Sequence, residues 1–267
     1  MNIGKVNKLV VQPLISTMNR DNFDFLLEMN LGESYGIVNQ GKFSASFFSY
    51  NEKGKFIYNS KDKGLSKSRN KAVSLAKGDI ILLCDDDVIY KANYSEIVNK
   101  AYSKIPDADI IVFKGISTNL ERQFHNFGDD IKKMNFRDTL QCSSVLVSCK
   151  LKSIVSNEIM FDNRFGSGSG MYSSGEENIF LKDCLTRKLK IYYYPEVILT
   201  KKFSNSLWFR GFTKEYFISK GALFKKLLGY KCYLGIFFFA VKKHSKYKSS
   251  VNFYKAIIYM LKGCNQL

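Results

Sequence analysis

Asp79-Ile80-Ile81-Leu82-Leu83-Cys84 is an apolar run opened by one aspartate, and it passes without a spacer into Asp85-Asp86-Asp87. An unbroken apolar run of this length reads as a strand buried on both faces, which belongs to a sheet covered by helices. Its neighbours agree. Ser66 to Lys77 reads as a helix stopped by Gly78. Beyond the triplet, Tyr94, Ile97, Val98, Ala101, Tyr102 and Ile105 form an i, i+3, i+4, i+7, i+8, i+11 stripe, the mark of an amphipathic helix. Asp109 to Phe113 (DIIVF) is a strand again.

Toward the N-terminus, Lys8 to Ser16 (KLVVQPLIS) and Tyr35 to Asn39 read as strands. Between them Asp21 to Asn30 has Phe23, Leu26, Leu27 and Asn30 at helical spacing. Lys42 to Tyr50 and Lys55 to Tyr58 flank Asn51-Glu52-Lys53-Gly54, a hairpin signal. This alternation predicts an α/β protein with a mostly parallel, Rossmann-like sheet flanked by helices. Ligands of such sheets sit beyond the carboxyl ends of the strands, which is where the three aspartates stand.

The chain has 267 residues, enough to bury roughly 70–75% of its unfolded surface without a disulfide or metal staple. Its 45% hydrophobic and 15% aromatic content excludes a disordered tail protein. Cysteines 84, 142, 149, 184, 232 and 264 contain no CxxC pair, which excludes a zinc ribbon or a thioredoxin-like motif. Most of them lie in apolar runs, as reduced core thiols do, so a cytoplasmic setting is expected. The opening MNIGKVNKLVVQPLIST lacks the apolar length and small-residue cleavage site of a signal peptide, so no export is expected.

The formal net charge is +17, from 41 Lys+Arg against 24 Asp+Glu. Residues 201–267 hold fourteen Lys/Arg and one acid, Glu215. Such asymmetry points to an anionic partner at that end. Within it, Tyr233 to Val241 (YLGIFFFAV) lies between Lys225, Lys226, Lys231 and Lys242, Lys243. Nine apolar residues are about half of what a transmembrane helix needs. A helix lying in a membrane interface accounts for aromatics ringed by lysines, and so does a core helix with a solvated basic face. The expected division is residues 1–200 as a catalytic domain and 201–267 as a basic, aromatic-rich helical segment.

Three adjacent carboxylates repel one another unless a cation or solvent relieves them. Mg²⁺ usually takes one or two carboxylates together with substrate phosphates. An acidic turn capping the next helix is the plainer account of the triplet, but its place at the strand's carboxyl end favours a metal–phosphate site. Upstream, Lys63-Gly64-Leu65-Ser66-Lys67-Ser68-Arg69-Asn70 opens a helix with cations in its first turn, against the helix dipole. A bound phosphate, or a pairing of Arg69 with an aspartate of the triplet, would compensate. Further on, Gly166 to Gly175 (GSGSGMYSSG) precedes Glu176-Glu177, where acids in a helix's first turn compete with a general base beneath a flexible loop.

Taken in order, these segments resemble the family 2 glycosyltransferases with a GT-A fold, of the bacterial cell-surface polysaccharide type. The matches are the first strand with Ser16-Thr17-Met18-Asn19, the GLSKSRN segment, the strand ending in Asp85-Asp86-Asp87, the GEE segment followed by KIYYYP, and Tyr216 to Gly229. The resemblance covers about residues 8–230. It implies that Asp85, Asp86 and Asp87 form the DxD motif. Asp85 and Asp87 then meet Mn²⁺ or Mg²⁺, and Asp85 and Asp86 the nucleotide-sugar. It places Ser16, Thr17, Asn19, Gly64, Arg69 and Asn70 near the nucleotide, and Glu177, with Glu176 second, as the catalytic base.

Two positions depart from the family pattern. Asn39 stands where the family has an aspartate against the nucleotide base, and an amide can both donate to and accept from uracil or thymine. Glu177 stands where aspartate is common. The resemblance implies an inverting transfer from a nucleotide diphospho-sugar, a UDP-sugar foremost, to a saccharide hydroxyl, with a lipid-linked acceptor. It implies a cytoplasmic enzyme, peripheral on the anionic inner face of the cell membrane, with nucleic acid not expected as a partner. A sugar-1-phosphate nucleotidyltransferase would share the sheet and metal, but it begins with a glycine-rich loop that Ser16-Thr17-Met18-Asn19 is not. A nucleic-acid binder would use the basic tail and leave the triplet unexplained. His125 and His244 read as structural or solvent-exposed. The Trp208, Phe209, Phe212, Tyr216, Phe217 stripe reads as helix packing, with Trp208 within reach of an acceptor.

Overall fold

The computed structural model describes residues 8–52, 54–119, 123–202 and 211–267. Trp208 and Phe209 lie outside the described residues. The chain divides into two compact units that do not follow a single cut in sequence. The first comprises Met1–Lys63, Ser68–Met160 and Asp183–Ser204; the second comprises Gly64–Lys67, Phe161–Lys182 and Asn205–Leu267.

Unit 1 is built on one ten-stranded sheet of β1 (Val11–Met18), β2 (Tyr35–Gln40), β3 (Phe47–Glu52), β4 (Lys55–Ser60), β5 (Ile80–Asp85), β6 (Val88–Tyr90), β7 (Ile110–Ser117), β8 (Lys132–Lys133), β9 (Val147–Lys150) and β10 (Ile191–Lys201). The order is β3-β4-β2-β1-β5-β9-β7-β10-β6, with β8 on β10. Helices α1 (Leu65–Leu75), α2 (Tyr94–Lys104), α3 (Phe136–Thr139) and α4 (Leu151–Ser156) lie along this part of the chain, and the division between units runs through α1. Ile80 to Leu83 are buried on both faces of the sheet, as their unbroken apolar character requires.

The sequence pattern predicts a mostly parallel sheet; the observed sheet is mixed. Parallel pairing holds across β4-β2-β1-β5 and between β7 and β10. The four-residue β9 enters antiparallel to both β5 and β7. It follows a short 3-10 turn (Ser144–Leu146), and nothing in its own pattern specifies a direction. The expected hairpin is seen in the antiparallel pairing of β3, an exposed edge strand, with β4; Asn51 and Glu52 belong to β3, and Lys53 lies outside the described residues. The helix expected over Asp21 to Asn30 is a correction: only a 3-10 turn, Asp24–Glu28, forms there. None of its residues is buried and Leu27 is 87% exposed, so the apolar spacing has no surface to pack on.

Unit 2 holds the start of α5 (Glu176–Thr186), then α6 (Lys214–Leu228), α7 (Cys232–Tyr247) and α8 (Phe253–Asn265). The segment C-terminal to residue 211 is helical and basic, as expected. Its core is Phe217, Cys232, Ile236, Ala240, Tyr247, Ala256, Met260 and Cys264. Helices α6 and α8 pack backbone to backbone. A Cβ at Gly221 would lie 1.8 Å from the Met260 carbonyl oxygen, and one at Gly263 would lie 1.9 Å from that of Ile218. All six cysteines are free and buried. No helix among the described residues is long and apolar enough to cross a membrane.

Candidate functional site

In unit 1 the triplet sits at the end of β5, with Asp85 the last strand residue and Asp86-Asp87 the turn into β6. The parallel register sets Ser16 of β1 beside Asp85, so Ser16 and Thr17 emerge at the same edge. The Ser68 hydroxyl of α1 donates to Ser16 Oγ at 2.8 Å. Thr17 Oγ1 donates to Asp86 Oδ2 at 2.6 Å, and Arg20 Nη2 reaches the same oxygen at 2.8 Å. Arg69, with its side chain only 3% exposed, is held by Ser144 Oγ at 2.8 Å and pairs with Asp85 Oδ1 at 3.3 Å. The pairing of Arg69 with an aspartate of the triplet is thus present.

The other side of the triplet is met by Lys201, the last residue of β10. Its Nζ donates to Asp85 Oδ2 at 2.6 Å and stands 2.9 Å from Asp87 Oδ1. The three carboxylates are thus matched by three cations: Arg20, Arg69 and Lys201. Burial alone would raise the Asp85 carboxyl, but Lys201 and Arg69 outweigh it and hold its pKa below the usual value. For Asp87 burial wins, and the charges of Asp85 and Asp86 add to it, so its pKa is raised despite Lys201. Burial works to lower the Lys201 pKa, yet Asp85 and Asp87 keep it above the ordinary lysine value.

Asn39 is buried, and both of its N–H donors are spent within the protein, on the Arg20 carbonyl at 2.9 Å and Asn59 Oδ1 at 3.0 Å. Its own oxygen accepts from the Arg20 N–H at 3.2 Å. It braces the chain leaving β1. Asn19 is exposed at φ 53°, a left-handed conformation that asparagine tolerates, and its N–H donates to the Gln40 carbonyl at 2.7 Å. Asn70 is half-buried on α1.

In unit 2, Glu176 and Glu177 open α5, where the helix dipole favours acids. Glu176 is buried; a side chain at Gly166, whose φ is +104°, would meet its carboxylate and Ser66 Oγ at 3.3 Å. Ser66 Oγ donates to the Phe165 carbonyl at 2.7 Å, and the Leu65 N–H to that of Ser167 at 2.9 Å. Gly64, at φ +121°, approaches the backbone of Gly168 and Ser169. Glu177 is half-exposed. Burial lowers the pKa of Lys220 on α6, and the charges of Glu177 and Glu176 offset part of that drop.

Unit 1 therefore gathers Ser16, Thr17, Arg69, Asp85, Asp86 and Asp87, while Gly64, Glu176 and Glu177 belong to unit 2. Arg20, Ser144, Lys201 and Lys220 were not legible in the sequence. Lys201 is 116 positions from Asp85, and only strand pairing brings them together.

The donor set can be tested for a divalent ion. Asp85 Oδ2 and Asp87 Oδ1 converge on one cationic centre, with the Lys201 ammonium as the stand-in ion. These are hard oxygen donors, and two of them match what Mg²⁺ or Mn²⁺ takes from a protein when phosphates complete its shell. Among the described residues no group of three or more His, Cys, Asp or Glu forms a cage of its own. The residues fit an ion shared with a diphosphate.

Residues 42–149 match the family model described as Glycosyl transferase family 2. No match is found among curated proteins. The chain is similar in structure to S. aureus TarS 1–349 in complex with UDP-GlcNAc, with a TM-score of 0.67 and 13% identity, covering 96% of this chain and 81% of that one. It is also similar to S. aureus TarS 1–349 in complex with UDP, with a TM-score of 0.59 and 14% identity over 91% of this chain and 75% of that one. At such identities the likeness establishes the fold. The chain is built on the GT-A fold, and within it residues 42–149 match the family 2 model.

Proposed function

We propose that the protein is an inverting glycosyltransferase that moves a sugar from a nucleotide diphospho-sugar to a saccharide hydroxyl in cell-surface polysaccharide synthesis. The observation that carries this reading is the acid triplet at the carboxyl end of β5, converging on a cation inside a chain with a family 2 domain. The similar TarS structures hold UDP-GlcNAc and UDP, which supports a UDP-sugar as donor here.

Family 2 enzymes typically use a divalent metal. Asp85 and Asp87 would hold Mn²⁺ or Mg²⁺ jointly with the donor's diphosphate, and such an ion neutralises charge on the departing nucleoside diphosphate. Arg69, fixed by Ser144, holds Asp85 in place. Thr17 and Arg20 fix Asp86 and leave one face of the triplet to the donor. Glu177, the more accessible of the two acids at the start of α5, accepts the proton of the attacking hydroxyl. Glu176 is buried and shapes the turn.

For the acceptor side we propose an anionic membrane surface carrying a lipid-linked saccharide, and a peripheral place on the inner face of the cell membrane. Tyr233, Leu234, Phe237, Phe238 and Val241 form an exposed apolar stripe on α7, with Phe238 68% exposed. Exposed Lys231, at the N-cap of the same helix, and exposed Lys242 and Lys246 on it flank the stripe. A self-complementary contact between two copies would set these lysines against one another with Glu215 the one acid of residues 211–267, whereas anionic headgroups would neutralise them.

The test is release of nucleoside diphosphate from a panel of nucleotide-sugars, with and without Mn²⁺ and a lipid-linked acceptor. Metal-dependent release from one donor supports the proposal. Silence with every donor and acceptor overturns it.

A further inference from the structure

We propose that Lys201 is the resident counter-ion of the acid triplet: in the nucleotide-free protein its ammonium holds the place a divalent ion would take, and ion and lysine compete for Asp85 and Asp87. This rests on the proposed function only in identifying the ion that competes.

Three observations carry it. First, the lysine is built in: its side chain is 10% exposed, with Nζ at 2.6 Å from Asp85 and 2.9 Å from Asp87. A second cation at the midpoint of these oxygens would share their lone pairs with an ammonium already there. Second, among the described residues the site is balanced, with Asp85, Asp86 and Asp87 matched by Arg20, Arg69 and Lys201. A bare divalent ion would leave a partly buried site with one excess positive charge once the ammonium withdraws, and with two if it stays; an ion that arrives with a diphosphate would not. The ion is therefore expected to bind with the nucleotide and weakly without it.

Third, the lysine can leave without moving the backbone. The backbone around Lys201 is pinned: its carbonyl accepts from the Thr118 N–H at 3.1 Å, and the next N–H, of Lys202, donates to the Asp87 carbonyl at 3.0 Å. Withdrawal needs only rotation about the four-carbon stem. The contact with Asp87 is also the weaker one.

The experiment is Mn²⁺ titration of the full chain, followed by the paramagnetic resonance signal of free Mn²⁺, without sugar donor or acceptor. Wild type is expected to bind Mn²⁺ weakly alone and at least tenfold more tightly with UDP. Lys201→Met, which cannot compete, is expected to bind Mn²⁺ alone at least tenfold more tightly than wild type, and to gain more in Tm from it. Lys201→Arg, which keeps the charge, is expected to follow wild type. Equal Mn²⁺ affinity in wild type and Lys201→Met overturns the proposal, as does nucleotide-independent tight binding by wild type. Should Lys201→Met fail to fold, reductive methylation of wild type decides. Lys201 is expected to react slowly alone and several-fold faster with Mn²⁺ and UDP, and an unchanged rate with the ion bound overturns the proposal. A protein that behaves so yet transfers no sugar would refute the proposed function and leave this inference standing.

Discussion

The Thr17 hydroxyl donates to Asp86 Oδ2 at 2.6 Å, which ties the exit of β1 to the turn after β5 across 69 positions of sequence. Asp86 keeps Arg20 when that bond is lost, so Thr17→Val is expected to cost about 1 kcal/mol, measured by urea unfolding. Because the turn also orients Asp85 and Asp87, the same variant is expected to raise the donor KM more than it lowers kcat.

Glu176 and Glu177 are adjacent and differently placed, and their amides should separate the roles. Glu177→Gln is expected to lower kcat by about 10²–10⁴ with circular dichroism unchanged. Glu176→Gln, altering a buried carboxylate beside Gly166 and Ser66, is expected to lower Tm and to leave kcat within about tenfold of wild type. The reverse order of kcat losses would move the base to Glu176.

Gly221→Ala places a methyl against a backbone carbonyl that no rotamer change can move, so α6 and α8 must separate. A loss of about 3 kcal/mol or more is expected in chemical unfolding. Gly235→Ala is the control: its Cβ meets a Leu228 methyl at 2.8 Å, the far end of a flexible side chain. Alanine's helix propensity offsets that contact, and a change within about 1 kcal/mol is expected.

Asp162 accepts two hydrogen bonds from the Arg164 guanidinium, at 2.9 and 2.7 Å, and stands 3.2 Å from Lys226 Nζ. The Arg164 hydrogen bonds lead in pulling its pKa down to about 2. A carboxyl held below its unfolded value stabilises the fold above that value, and the contribution fades as pH falls toward 2. Asp162→Asn is expected to cost about 1 kcal/mol near pH 7, with a shrinking gap between pH 4 and pH 2, read from urea midpoints.

If α7 meets lipid, the protein is expected to co-float with vesicles containing phosphatidylglycerol and to stay behind with phosphatidylcholine alone. Raising the salt concentration should weaken the association. Leu234→Gln with Phe238→Gln, both on the exposed stripe, is expected to reduce co-flotation at least tenfold without changing Tm. Concentration-dependent dimerisation that the same double variant abolishes would assign the stripe to a second copy of the chain.

Much of unit 1 was readable before folding because its signals are local. Ile80 to Leu83 announce a buried strand, the turn residues ahead of Lys55 the pairing of β3 with β4, and the stripe from Tyr94 to Ile105 a helix. Asp21 to Asn30 misled because spacing over ten residues says nothing about whether a partner surface exists. The direction of β9 escaped for a related reason: four residues carry no preference between parallel and antiparallel neighbours, and β5 and β7 impose it.

Composition and order thus established an α/β chain with an acid triplet at a strand's end, two glutamates opening a helix, and a basic, aromatic C-terminal segment, since each depends on residues within one turn or one strand. Which cation meets each acid depended on long-range pairing. Lys201 reaches Asp85 because β10 ends where it does beside β7 and β6. Glu176 is buried while Glu177 is half-exposed because α5 presents successive side chains about 100° apart, and packing chooses which one faces inward. Charge acts through space, and a sequence orders its charges only along the chain.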